Sequence, residues 1–225
     1  MANAKAVNVP RLIAIPSLIT LAVTILRVVG EIKHWPTPWV NTAAGGGGGA
    51  ILGIAWLPII FGPYFAIKLA GTGDAPASSG RAIGYAFLGL IVFVLGGALF
   101  QHSINHPSAL TLVAFLVMLG AAFVPAIGWR SLGRALLGYA LAARIPVLIV
   151  MYFAMTGNGG AGWGTHYDAV PPSLANFPVT TRYIFLGVMP QMTVWIGWTA
   201  IVGAICGGIA AAIANKGKHP AVVSA

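Results

Sequence analysis

Acidic residues are almost missing from this chain: three Asp or Glu among 225 residues, beside twelve Lys or Arg. Soluble domains carry roughly a quarter charged residues, and a charged fraction of 7% cannot clothe a fold of this size in water. Cysteine is equally scarce. The single Cys206 excludes an intrachain disulfide and any Cys-rich metal site. Strict polar–apolar alternation is absent, which argues against a transmembrane β-barrel. The Gly-rich stretches are not followed by Lys-Ser/Thr and do not come after strands, so no Walker loop or dinucleotide fingerprint survives in context, and there is no His-Glu-x-x-His. No Gly-x-Ser lies in an apolar run, so an intramembrane Ser–His pair has no visible nucleophile.

What the chain has instead is long apolar runs, near residues 12–29, 50–70, 82–100, 109–129, 132–155 and 183–213. Each can cross a hydrocarbon core of about 30 Å at roughly 1.5 Å per residue. In lipid the backbone must satisfy its own hydrogen bonds, so such runs become helices. The expected fold is all-α: one membrane domain over residues 1–225, a polytopic bundle of six transmembrane helices. Lys5 and Arg11 ahead of the first run resemble a signal peptide. Pro16, the length of the run and the lack of a small-x-small site before Glu31 favour a retained helix.

The few cations sort by side. Lys5, Arg11, Lys68, Arg81, Arg130, Arg134, Lys216 and Lys218 flank alternate ends of the runs, against Arg27, Lys33 and Arg182 at the others. Eight against three predicts that both termini are cytoplasmic. The net charge of +9 is then a topology signal and a contact for anionic lipid headgroups rather than for nucleic acid. A bacterial inner (plasma) membrane suits this pattern.

One cation does not sort. Arg144 lies about 12 residues, roughly 18 Å, into the fifth run, near the bilayer midplane. An Arg there costs at least ~2.5 kcal/mol by insertion scales and demands partners. All three acids, Glu31, Asp74 and Asp168, fall in the expected gaps, so none should serve from within a helix. Pro146 frees the carbonyl of Ala142. Gln191 lies about 12 Å into the sixth run from the opposite side, which puts it level with Arg144, with Pro190 before it and Thr193 two residues on. Pro58 of the second run falls at similar depth. A midplane layer of prolines and polar groups is how many transporters build a site. Arg144, Gln191 and Thr193 are the expected substrate-binding residues, for a small and anionic solute.

A second constellation gathers on the outer side. Glu31 and His34 are spaced i, i+3, His102 and His106 i, i+4, and His166 stands two residues before Asp168. Imidazole and carboxylate together are transition-metal ligands, so these six residues define an alternative metal or haem site. Only one Glu-x-x-His is present, where di-iron bundles use two, and Pro107 disfavours helix at His106. The gap from 156 to 182, Gly-rich and then Pro-bearing, reads as a loop ordered by contact over the mouth of the bundle.

Small residues recur every fourth position at Ala200, Ala204, Gly208 and Ala212, spacing that lets helix backbones approach closely in lipid, within the chain or with a partner helix. Pro58 with Tyr64-Phe65-Ala66 is echoed by Pro146 with Tyr152-Phe153-Ala154, as an inverted repeat would require. The residues thus lead to a small-solute permease or binding protein, with a redox or metalloprotein and a structural subunit of a larger complex as the rivals.

Overall fold

The computed structural model describes residues 8–44, 49–103 and 109–215. Among them every regular element is helical. They are α1 (Val9–Ile32), α2 (Leu57–Gly71), α3 (Ser79–Ser103), α4 (Ala109–Ala121), α5 (Pro125–Gly128), α6 (Arg130–Thr156), α7 (Val179–Arg182), α8 (Met189–Met192) and α9 (Val194–Asn215). A π-helical segment, Tyr183–Val188, joins α7 to α8. Five stretches are long and apolar enough to cross a membrane: α1, α3, the pair α4–α5, α6, and the run from α7 through α9. α2 is apolar but only 15 residues long.

Helix ends follow local chemistry. Asn8 caps α1 by accepting the Arg11 N–H at 3.1 Å, and Pro10 stands where no intrahelical donor is needed. At the other end His34 takes φ +54° and lets the Trp35 N–H bond the Gly30 carbonyl at 2.8 Å. That is the left-handed residue of a helix C-terminus.

α9 is the hub, packed on α2, α3, α4 and α6. Gly62 and Gly203 allow the backbones of α2 and α9 to touch: a methyl group on Gly62 would overlap the Gly203 carbonyl. Ala200 and Ala204 are buried in this packing, and Gly208 lies against Ile83 of α3. The small-residue face, Ala212 apart, is thereby used within the chain. A buried aromatic group of Phe61, Phe65 and Tyr139, with centroids 5.4 and 5.5 Å apart, locks α2 to α6. The outer faces are as apolar as this interior. Ile15, Leu18, Ile91, Val94, Leu95, Leu116, Ile149 and Phe153 are all exposed. In water that surface would aggregate, and in lipid it is matched by its solvent.

Several expected boundaries change. The run at 50–70 becomes helical only from Leu57, and Pro58 starts α2 instead of breaking it. Residues 50–56 are irregular and tied in place: Ile51 N–H to the Pro38 carbonyl, Leu52 N–H to that of Trp39, and the Trp198 indole to the carbonyl of Ala55 at 2.8 Å. The run at 109–129 bends between Ala121 and Pro125. The run at 183–213 is interrupted twice, by the π segment and at Thr193. The echo between α2 and α6 is mirrored in packing only at Ala66 and Ala154, both fully buried, whereas Phe65 is fully buried and its counterpart Phe153 is exposed.

Candidate functional site

The first helix carries a buried polar stripe. Thr20, Thr24, Arg27 and Glu31 step by four, three and four residues, so they share one face over about 16 Å of axis. α1 packs on α6, and Thr20 shares a 2.7 Å hydrogen bond with Tyr139 of that helix. Thr20 and Thr24 also turn their hydroxyls back to the carbonyls of Pro16 and Thr20.

At the upper end of the stripe the expectation about acids is overturned. Glu31 lies inside α1, in its last turn, and is fully buried. Its Oε1 accepts the Arg27 Nε–H at 2.7 Å. His166 approaches the same carboxylate with Nδ1, 2.6 Å from Oε1 and 2.8 Å from Oε2, and its backbone N–H donates to Oε2 at 2.8 Å. Arg27 also reaches the Asn41 carbonyl at 3.3 Å. Both charges are withdrawn from solvent, so each depends on the other. Burial lowers the His166 imidazole below its ordinary range, and Arg27 adds to that, while Glu31 and Asp168 pull the other way.

This bond ties the long loop to the bundle. Tyr167 lies against His166, ring centroids 3.8 Å apart and planes tilted by 46°, and is buried against Val147, Met151, Ala154 and Met155 of α6. Burial raises its phenol, and the ring lies within electrostatic range of Arg27, Glu31 and Arg144. Asp168 organises the loop from inside. Oδ2 accepts the N–H groups of Trp163 (3.0 Å) and Gly164 (2.9 Å), and Oδ1 accepts the Thr165 N–H (2.9 Å) and hydroxyl. Gly162, at φ +84°, has to be glycine, because a side chain would meet that carboxylate.

The five described residues of the expected metal arrangement are not gathered into one cluster. Glu31 and His166 do meet, but their facing atoms are spent on each other and on Arg27. Asp168 is held by loop amides, His34 is an exposed helix-end residue, and His102 is exposed in the last turn of α3. No group of three or more His, Cys, Asp or Glu side chains suited to a metal exists among the described residues. His106 lies outside them.

Arg144 and Gln191 are brought together. Arg144 is about 21 Å along α6 from Arg130 and buried. It reaches Gln191 Oε1 from Nη1 at a long 3.4 Å, and its guanidinium lies 4.8 Å from the Trp195 ring centroid. Its Nε is buried with no acceptor, and among the described residues Arg144 has no acidic partner. The Gln191 amide nitrogen turns to Met151 Sδ at 4.0 Å. Thr193 is spent locally: its hydroxyl bonds the Met189 carbonyl at 2.6 Å where the helix breaks. It shapes the turn that presents Gln191, and its hydroxyl is not the partner of Arg144.

The buried Arg27–Glu31 pair and its tie to His166 were not anticipated. A signal existed, because beyond Arg11 and Ser17 the polar residues of this apolar helix are Thr20, Thr24, Arg27 and Glu31, at helical spacing. The partnership with His166 crosses 135 residues of sequence and leaves no local trace. No family model matches the chain, and neither a curated protein nor a solved structure matches it.

Proposed function

We propose that this protein is a membrane permease or binding protein for a small anionic solute, with Arg144 and Gln191 as its central polar site. The single observation that carries this is the state of Arg144. A buried guanidinium with a free Nε, one long hydrogen bond and a tryptophan face is under-satisfied. A cation–π contact is worth about 2 kcal/mol when desolvated, whereas an unmet buried donor costs about 1–3 kcal/mol. An anion supplies what the site lacks, with bidentate geometry. The π segment, Pro190 and the break at Thr193 place irregular backbone beside that site, where discontinuous helices serve transporters. The same reading takes α2 with its irregular lead as one of six passes, with both termini in the cytoplasm of a bacterial inner membrane. The charge asymmetry of the gaps supports it.

The test is anion uptake and binding by the purified protein in liposomes, comparing Arg144→Gln and Arg144→Lys with the parent. Loss of the cation should lower uptake by about two orders of magnitude, as removal of a charge-assisted contact does, while Lys retains part of it. Unchanged binding and uptake in a correctly folded Arg144→Gln protein would retire the proposal.

A further inference from the structure

A cavity of about 160 Å³ lies under the long loop, lined by Met155, Gly162, Asp168, Val170 and Arg182 among others. Its two charged residues are in opposite states. Each oxygen of Asp168 already receives two donors from residues 163–165, so the carboxylate has little left to offer a ligand. Arg182 forms no ion pair with it, and the Arg182 Nε is buried without an acceptor. Of the two charged side chains in the lining, the one with an unused group is therefore the cation, while the oxygens of the carboxylate are already occupied. That suits an anion and disfavours a cation or a zwitterion.

The location joins the cavity to the site below. Arg182 precedes the π segment that leads to Gln191, roughly 13 Å further along the axis. On the facing helix Met155 lines the cavity, and Met151, one turn below, touches Gln191. Arg182 and Arg144 are the two arginines with an unpaired buried Nε among the described residues. They stand at the two ends of this interval.

We infer that the cavity under the 157–178 loop is a second anion subsite, with Arg182 as its binding cation, which receives a small monoanion on its way to Arg144. The inference rests on the proposed anionic solute of Arg144 and adds a location, a residue and a size. The volume admits acetate or nitrate and excludes a large polyanion. Among the described lining residues Arg182 is the one cation, so no second cation is supplied for a dianion.

The experiment is calorimetric titration of the purified full-length protein in detergent with sodium acetate, in a gluconate background, with glycine betaine as the zwitterionic control. Variants are Arg182→Gln, Arg182→Lys, the cavity-filling Val170→Phe, and Arg144→Gln. Acetate should bind and betaine should not. Arg182→Gln and Val170→Phe should each weaken the outer binding event at least about tenfold, the scale of one charge-assisted hydrogen bond, with Lys intermediate. In liposomes Arg182→Gln should raise KM for acetate with little change in maximal rate. Undiminished acetate binding in both Arg182→Gln and Val170→Phe overturns the subsite, as does betaine binding as well as acetate. If those two variants weaken binding while Arg144→Gln leaves uptake intact, the subsite stands and the midplane proposal fails. The converse pattern retains Arg144 and removes the subsite.

Discussion

Replacing Glu31 by leucine should expose how the long loop is held. The carboxylate is fully buried, accepts Arg27 at 2.7 Å, and accepts both the ring and the backbone N–H of His166. Leucine leaves the Arg27 charge buried beside an apolar side chain. Removing one partner of a buried pair costs about 3–5 kcal/mol. For a chain of this size roughly 2–4 °C accompanies each kcal/mol, so the midpoint should fall by about 6–20 °C. The double variant Arg27→Met with Glu31→Leu removes both charges and their desolvation. It should recover most of that loss, leaving the unmet His166 donors, about 1–3 kcal/mol. The assay is thermal unfolding in detergent followed by tryptophan fluorescence, together with proteolysis of residues 157–178. Glu31→Leu should make the loop protease-sensitive. The reasoning is refuted if Glu31→Leu stays within ~1 kcal/mol of the parent, or if the double variant is no more stable than Glu31→Leu alone.

Two further outcomes follow from the same structure. Gly62→Ala should destabilise by about 1–3 kcal/mol or more, because the added methyl meets the Gly203 backbone and not a movable side chain; thermal unfolding of the variant measures it, and Gly84→Ala, where the added atom meets open space, is the control. Loop docking should weaken in acid. The docked His166 is held below its ordinary value of about 6.5, chiefly by burial, so the undocked loop binds the proton more readily. Docking is then full above that value and is lost as pH falls toward the depressed one. Hydrogen exchange of residues 163–168 against pH reads this, and His166→Asn should flatten the profile.

The membrane class was legible in residues alone because lipid imposes it on composition: few charges, long apolar runs, backbone bonds closed within helices. That Arg144 and Gln191 lie level with each other was legible as well, since a helix converts residue number into distance at a constant rise. Their 3.4 Å meeting agrees with that count. Other features were misread for a consistent reason. The Glu31–His34 spacing predicted a shared helical face, but His34 adopts left-handed backbone and leaves it. Asp168 looked like a ligand, and the glycines around it turned its carboxylate onto backbone amides. Pro58 was counted into the interior of its run and proved to stand at the start of a helix.

The residues by themselves determined that this chain has the long apolar helices of a membrane protein, and that its one unsorted cation lies level with Gln191. Only the tertiary structure decided which polar groups are spent and which are free. Glu31 neutralises Arg27 and anchors His166, while Arg144 and Arg182 keep an unpaired Nε. The physical reason is range. Hydropathy and helical rise act along the chain, where sequence records them. The pairing of a buried charge depends on which distant segment folds against it, and that is settled by packing among α1, α6, α9 and the 157–178 loop.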